Sequence, residues 1–116
     1  MNARTLVKTT LAAALIAGGV CWSAMADDAV ETWDMNCAAC HGKDGKGDTM
    51  MGHKLQMKDL TDAKVQAALT DEQATKIIKD GVVEDGRTKM KGFADKLSDD
   101  QIKALVAHVR SFKAAK

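Results

Sequence analysis

Two cysteines separated by two residues, with a histidine directly after the second, limit what this 116-residue chain can fold into. The segment reads Cys37-Ala38-Ala39-Cys40-His41. A structural zinc site needs about four ligands, and the chain offers no second cysteine pair and no close pair of histidines. A thioredoxin-type redox pair requires a β-α-β setting, whereas this sequence has almost no strand pattern. A disulfide between the two cysteines leaves the histidine unexplained, and closing so short a loop stabilises little.

Covalent attachment of haem c explains all three residues, because Cys-x-x-Cys-His is the attachment signature of that cofactor. Two thiols three residues apart on a helical turn face the same way. They can therefore form thioethers with the two vinyl groups on one edge of a porphyrin. His41 follows Cys37 by four residues, so its imidazole can reach the iron from the same side. The motif predicts one covalent haem c per chain, held by Cys37 and Cys40, with His41 as an iron ligand.

The first 26 residues have the pattern of a cleaved secretory signal peptide. Arg4 and Lys8 precede a small apolar run at 11–20, and Ala24-Met25-Ala26 supplies an A-x-A cleavage site. The apolar run has about half of the roughly 20 residues that a membrane span needs. Cys21 closes that run, but the residues before it do not favour lipidation. The pattern predicts a periplasmic protein with no membrane span after cleavage and a single domain at 27–116.

Composition excludes some classes of function. Cleavage removes two of the 17 basic residues and none of the 16 acidic ones, which leaves 15 against 16 and a net charge of −1 with neutral histidines. This balance excludes a nucleic-acid-binding protein with a broad basic surface. A domain of this size is marginally stable on its own, so a large apolar cofactor would add to its core. No Ser-His-acid pattern suggests nucleophilic catalysis, and haem would consume the two cysteines.

Hydrophobic spacing predicts an all-α domain of three to five short helices. The first helix is expected at 29–41, because Val30, Trp33, Cys37 and Cys40 recur on one helical face. The last helix begins after a capping box formed by Ser98 and Gln101 and carries an apolar stripe on its inner face, which comprises Ile102, Leu105, Val106 and Val109.

The middle of the chain is less regular. Thr61 is expected to cap a short helix at 62–69, and Thr70 forms a capping box with Gln73 for a further helix that ends at Gly81. The segment 49–60 has no clear pattern, and we interpret its His53 as a loop residue. The segment 82–92 is interpreted as irregular, with a turn at Asp85-Gly86.

The order of these motifs resembles that of the class I c-type cytochromes, which are small single-haem electron carriers. The resemblance covers essentially the whole predicted mature chain. It implies a cytochrome c fold around one covalent haem, in which the N-terminal and C-terminal helices cross and Trp33 and Gly45 pack near Leu105. Four features carry it: Trp33 four residues before Cys37; the haem motif followed by Gly42, Gly45 and Gly47; 77–81 followed by Met90-Lys-Gly-Phe93; and 97–102 followed by Leu105 and Val109-Arg110-Ser111.

The same resemblance implies a methionine thioether as the second axial ligand, from the segment before the last helix. Met90 matches that place, 49 residues after His41. Three methionines compete with it, although flexible filling of core gaps explains them equally well: Met50, Met51 and Met57. A sixth ligand from His53 or His108 would give a bis-histidine site of lower potential, but packing is the expected role of His108.

The sequence departs from the family at two points because it contains no proline. The family commonly has a proline after the glycine-rich loop, whose carbonyl accepts a hydrogen bond from the proximal imidazole. Without it, the acceptor for His41 cannot be named. A second proline commonly follows the methionine ligand, where Lys91 stands here, so we expect a looser segment around Met90.

The function that these features favour is a periplasmic carrier that shuttles one electron between respiratory redox proteins as a monomer. Basic residues around Met90 and near the haem motif would steer transient docking to acidic partner surfaces, although an ordinary solvated face explains them equally well: Arg87, Lys89, Lys91, Lys96, Lys43, Lys46, Lys54 and Lys58. The alternatives are a haem gas sensor or peroxidase-like enzyme with a labile distal ligand, and a cytochrome subunit of a larger complex.

Overall fold

A computed structural model describes residues 22–115, and within that range the protein is mostly helical with one small antiparallel sheet. Residues 1–21 of the predicted signal peptide lie outside the described residues. No helix in the described range is long and apolar enough to span a bilayer. The elements in chain order are α1 (Trp22–Asn36), α2 (Ala38–His41), α3 (Met50–Leu55), α4 (Ala63–Ala68), α5 (Asp71–Asp80), β1 (Gly81–Glu84), β2 (Arg87–Lys91), α6 (Asp99–Ser111) and a 3-10 turn (Phe112–Ala115).

The single first helix predicted at 29–41 is two helices in the structure. The helix α1 begins earlier, at Trp22, and ends at Asn36. Cys37 has φ −121° and ψ −34°, which is not a helical conformation, and it acts as the N-cap of the short α2. Hydrogen bonds continue across the break, from the Cys37 N–H to the Trp33 carbonyl at 2.8 Å and from the His41 N–H to the Cys37 carbonyl at 2.9 Å. The haem motif therefore forms its own turn, which α1 anchors.

Local capping signals place most of the remaining helices. Both predicted capping boxes are present, at the starts of α5 and α6, and Gly81 ends α5 with φ 77°. Asp62, not Thr61, caps α4, because its side chain accepts the Lys64 N–H. The helix α3 was not predicted, and His53, which we interpreted as a loop residue, lies inside it.

The segment 82–92 is a β-hairpin rather than irregular chain. The predicted turn at Asp85-Gly86 is confirmed, and both residues have positive φ, 52° and 75°, as a two-residue hairpin turn requires. Val82 pairs with Met90 across the strands, and the register shifts after Val82. A salt bridge of 2.6 Å between Lys89 and Glu84 links the two strands. In this hairpin the segment that carries Met90 is a strand whose backbone pairs with β1.

The core lies where α1 packs against α6, as the resemblance implied. Ile102 and Leu105 of α6 are each 1% exposed, and they share one buried cluster with Trp33 of α1. Gly45 lies against the same cluster, because a Cβ atom at this position would come within 2.6 Å of the Phe112 ring. The crossing of the two helices is therefore built directly next to the turn that carries the haem motif.

His108 packs into this crossing. Its ring lies 5.4 Å from that of Trp33 and 4.9 Å from that of Phe112, in an edge-on arrangement with the latter. Its Nε2 atom is buried and has no hydrogen-bond partner among the described residues. Burial lowers the pKa of His108, and the nearby Asp34 carboxylate partly offsets this effect.

We expect His108 to make the protein less stable in acid. Its pKa is lower in the folded than in the unfolded chain, where it is about 6.5, so protonation favours the unfolded state as the pH falls below that value. Its contribution to stability is therefore complete above about pH 6.5 and is lost on acidification. Urea unfolding of His108→Phe at several pH values between 5 and 7 should show a shallower loss of stability than the wild type. A slope equal to that of the wild type would contradict this role.

Candidate haem-binding site

Cys37 and Cys40 are both free thiols in the structure. Cys37 is buried at 8% exposure, and Cys40 is half-buried. Burial, followed by the proximity of Cys40, raises the pKa of Cys37 to about 11. The two thiols lie within one helical turn and are not joined by a disulfide.

Hydrogen bonds from the following loop fasten the backbone of the haem motif. The Thr49 hydroxyl donates to the Cys40 carbonyl at 2.8 Å and accepts the Gly52 N–H at 2.8 Å, which makes it the N-cap of α3. The His41 carbonyl accepts the Gly47 N–H at 2.7 Å. The sequence analysis missed Thr49 and Gly52, although a threonine three residues before a glycine N–H that it can cap was a visible signal.

Gly52 allows α3 to lie directly on the haem motif. A Cβ atom at this position would come within 2.2 Å of the Gly47 carbonyl oxygen and 2.5 Å of the Cys40 carbonyl oxygen. Both atoms belong to backbone and cannot rotate away. The helix can therefore approach α2 only because residue 52 has no side chain.

We expect Gly52→Ala to destabilise the holoprotein by about 3 kcal/mol, at the upper end of the cost of overpacking. The matched control is Gly86→Ala, where a Cβ atom meets nothing within 4 Å and only the positive φ opposes the substitution, at a cost of about 1 kcal/mol. Urea unfolding measures both. Equal losses in the two variants would show that the contact with the haem motif carries no special cost.

The His41 side chain ends α2 and is half-buried. Burial lowers the pKa of its imidazole, which favours the neutral form that binds iron. Its Nδ1 atom is buried and has no hydrogen-bond partner among the described residues. The Trp33 indole lies 5.5 Å from the His41 ring, at an interplanar angle of 40°.

The described methionines differ in their surroundings. Met90, in β2, is half-buried and packs against the core cluster that contains Cys37 and Phe93. Met50 and Met51 of α3 are 88% and 42% exposed. Met57 is half-buried beside Gly47.

The backbone around Met90 is paired and closely packed, although no proline follows the methionine. A Cβ atom at Gly81 would come within 2.4 Å of the Met90 carbonyl oxygen and 2.6 Å of the Gly92 nitrogen. The Phe93 N–H then donates to the Ile78 carbonyl at 2.8 Å. Strand pairing and the close approach at Gly81 thus position the chain on both sides of the methionine.

The thiol, imidazole and thioether groups described above fit a covalently bound haem. Two free thiols lie on one turn, the imidazole that follows them is favoured in its neutral form, and a thioether packs against the same buried cluster as Cys37. Imidazole and thioether are the axial pair of electron-transfer haems. In such a site Cys37 and Cys40 would hold the macrocycle, and His41 and Met90 would be its axial ligands.

Residues 24–109 match the family described as cytochrome c oxidase, cbb3-type, subunit III. Among solved structures, the chain is similar to the KustC0563 c-type cytochrome, with a TM-score of 0.67 and 36% identity over 74% of this chain and 98% of that one. A tyrosine-to-phenylalanine mutant of Kustc0563 is similar with a TM-score of 0.65 and 36% identity over 74% of this chain and 99% of the mutant.

The family match spans the Cys-x-x-Cys-His motif, most of α1 and α6, and the segment that carries Met90. The matches together confirm the cytochrome c fold that the sequence predicted, and they imply covalently bound haem c. The chain belongs to the family of the cbb3-type cytochrome c oxidase subunit III domain and is a small c-type cytochrome.

Proposed function

We propose that this cytochrome is a periplasmic electron carrier that holds one haem c through Cys37 and Cys40, with His41 and Met90 as axial ligands. One observation carries the proposal above all. Among the described methionines, Met90 is the one that packs against the buried cluster containing Cys37, whereas Met50 is directed to solvent at 88% exposure. The predicted signal peptide supports the periplasmic location.

Bound haem would supply a one-electron iron couple. The chain's own residues would retain the cofactor, ligate its iron and raise its reduction potential. Cys37 and Cys40 would prevent loss of the cofactor through two thioethers. His41 and Met90 would fill both axial positions, so that no substrate can bind the iron. Met ligation and burial both raise the reduction potential, and Phe93, at 4% exposure, belongs to the apolar cluster against which Met90 packs.

Carbon monoxide binding to the untreated ferrous protein tests this proposal. A carrier whose axial positions are both filled should show a low-spin haem c spectrum that carbon monoxide does not change. Rapid carbon monoxide binding by the wild type would favour instead a gas sensor or peroxidase-like enzyme with a labile distal ligand.

Positive charge beside Met90 supports docking to acidic redox partners. The proximity of Lys96 lowers the pKa of Lys91, as a neighbouring like charge does. Lys89 is less available, because it pairs with Glu84 at 2.6 Å. Docking through this face should slow as ionic strength rises. Electron-transfer rates to partners that are independent of ionic strength would count against it.

A second candidate function follows from the matched family, which is described as a subunit of a cytochrome c oxidase. A permanent subunit would need a partner chain to be stable. The capped helices and self-contained core favour an independent monomer instead. Light scattering on the purified exported protein separates the two: a fully haem-loaded monomer supports the carrier, and self-association or poor haem loading in isolation supports the subunit.

A further inference from the structure

Trp33 contacts the haem motif in two ways. Its side chain is 3% exposed in the core between α1 and α6. Its indole Nε1–H donates to the Gly42 carbonyl at 2.9 Å, and this hydrogen bond is buried. Its ring also lies 5.5 Å from the His41 ring, tilted by 40°. One side chain thus holds both the imidazole and the peptide unit that follows it.

His41 lacks the usual means of fixing its ring. A histidine that binds a metal almost always donates its other ring N–H to a carboxylate, carbonyl or water, which sets the orientation of the ring. Among the described residues, the buried His41 Nδ1 has no such acceptor. The contacts that the described residues make with this imidazole are packing contacts, of which the ring of Trp33 supplies the aromatic one.

We propose that Trp33 is the positioning residue that fixes the ring plane of His41, in place of a hydrogen bond to Nδ1. The indole face limits rotation of the imidazole about its Cβ–Cγ bond. The Nε1–H···O=C bond holds the Gly42 peptide and thereby the backbone from which the His41 side chain extends. This inference rests on the proposed ligation of iron by His41.

Trp33 can act in this way because it is itself held from the other side. The rings of Phe112 and His108 lie 5.1 Å and 5.4 Å from its own. Among the described aromatic pairs, His41 takes part only in the one with Trp33. The Trp33 indole is therefore the aromatic ring that links His41 to α6.

Two variants at position 33 test the proposal in the holoprotein. Trp33→Phe keeps an aromatic ring but removes the donor and part of the face. Replacement of Trp33 by 3-benzothienylalanine keeps the shape of the indole and removes only the N–H donor. This variant should fold even if Trp33→Phe does not. The matched control is Phe112→Leu, which loosens the same ring cluster without touching His41.

The readouts are the g values of the low-spin ferric haem, which depend on the orientation of the axial imidazole plane, and the reduction potential. Both variants at position 33 should shift the g values and the potential. Phe112→Leu should lower the unfolding midpoint but shift the g values and the potential by less than either variant at position 33, because it leaves both contacts between Trp33 and the haem motif in place.

Wild-type g values and potential in either folded variant at position 33 would overturn the inference, as would an equal shift in Phe112→Leu. A wild-type protein with no low-spin haem c spectrum would overturn the proposed function and this inference with it. The two failures are therefore distinguishable.

Discussion

Replacement of both Cys37 and Cys40 by alanine is expected to abolish covalent haem attachment. In the proposed site each thiol forms one thioether, and without both the cofactor would have no bond to the chain apart from the iron ligands. On a denaturing gel stained for haem peroxidase activity, the band of the exported protein should disappear. Acid–acetone should extract any haem that remains bound.

The fold should suffer with the cofactor. A domain of about 90 residues buries only about two-thirds of its unfolded surface and is marginally stable by itself. We therefore expect the double variant to lose a large part of its helical circular dichroism. The matched control is Ala39→Ser, an exposed position between the two cysteines, which should keep both haem and helicity. A haem-stained band in the double alanine variant would refute covalent attachment at these residues.

Leu105→Ala should cost about 3–4 kcal/mol of folding free energy, within the range found for buried leucines. Leu105 is 1% exposed at the packing of α1 against α6, and it lies in the same cluster as Trp33 and Cys37. Its loss would leave a cavity next to the haem motif that the rigid ring cluster cannot fill by relaxing. This is a large share of the 5–15 kcal/mol that stabilises a typical domain.

Urea unfolding of the holoprotein, followed by circular dichroism, measures this loss. Lys103→Ala is the control on the same helix, because Lys103 is exposed and surface substitutions usually change stability by less than about 0.5 kcal/mol. Nearly equal midpoints for Leu105→Ala and Lys103→Ala would mean that the helix crossing is not the structural centre of the domain.

The features that the sequence predicted correctly depend on residues close together in the chain. The capping boxes at Thr70 and Ser98 each span four residues and are present in the structure. Their side chains meet as soon as one helical turn forms, so spacing alone predicts them. The crossing of the terminal helices was available only through the resemblance to class I cytochromes, because contacts between Trp33 and α6 are far apart in sequence.

Apart from the cap at Thr49, the missed features depend on contacts between separate segments or on patterns too short to stand out. Gly52 is required because the backbones of Gly47 and Cys40 approach it, and nothing in its neighbours reveals this. The hairpin had its turn signal at Asp85-Gly86, but its strands have only four and five residues and one register shift. That is too short for an alternating pattern to stand out.

The break at Cys37 was also beyond prediction, because apolar residues keep helical spacing across it. Cys37 leaves the helical conformation, while its hydrogen bonds to Trp33 and from His41 keep the turn in line with α1. Periodicity detects the common face of α1 and α2 but cannot detect one residue of altered backbone between them.

The most direct test of the central claim is the far-red absorption of the ferric protein, where a thioether bound to ferric haem gives a weak band. It should be measured on the wild type, on Met90→Ala and on the control Met57→Ala, which removes a half-buried methionine outside the β2 strand. We predict the band in the wild type and in Met57→Ala and its loss in Met90→Ala. A band that survives in Met90→Ala, or disappears in Met57→Ala, would contradict the assignment of Met90 as the second axial ligand.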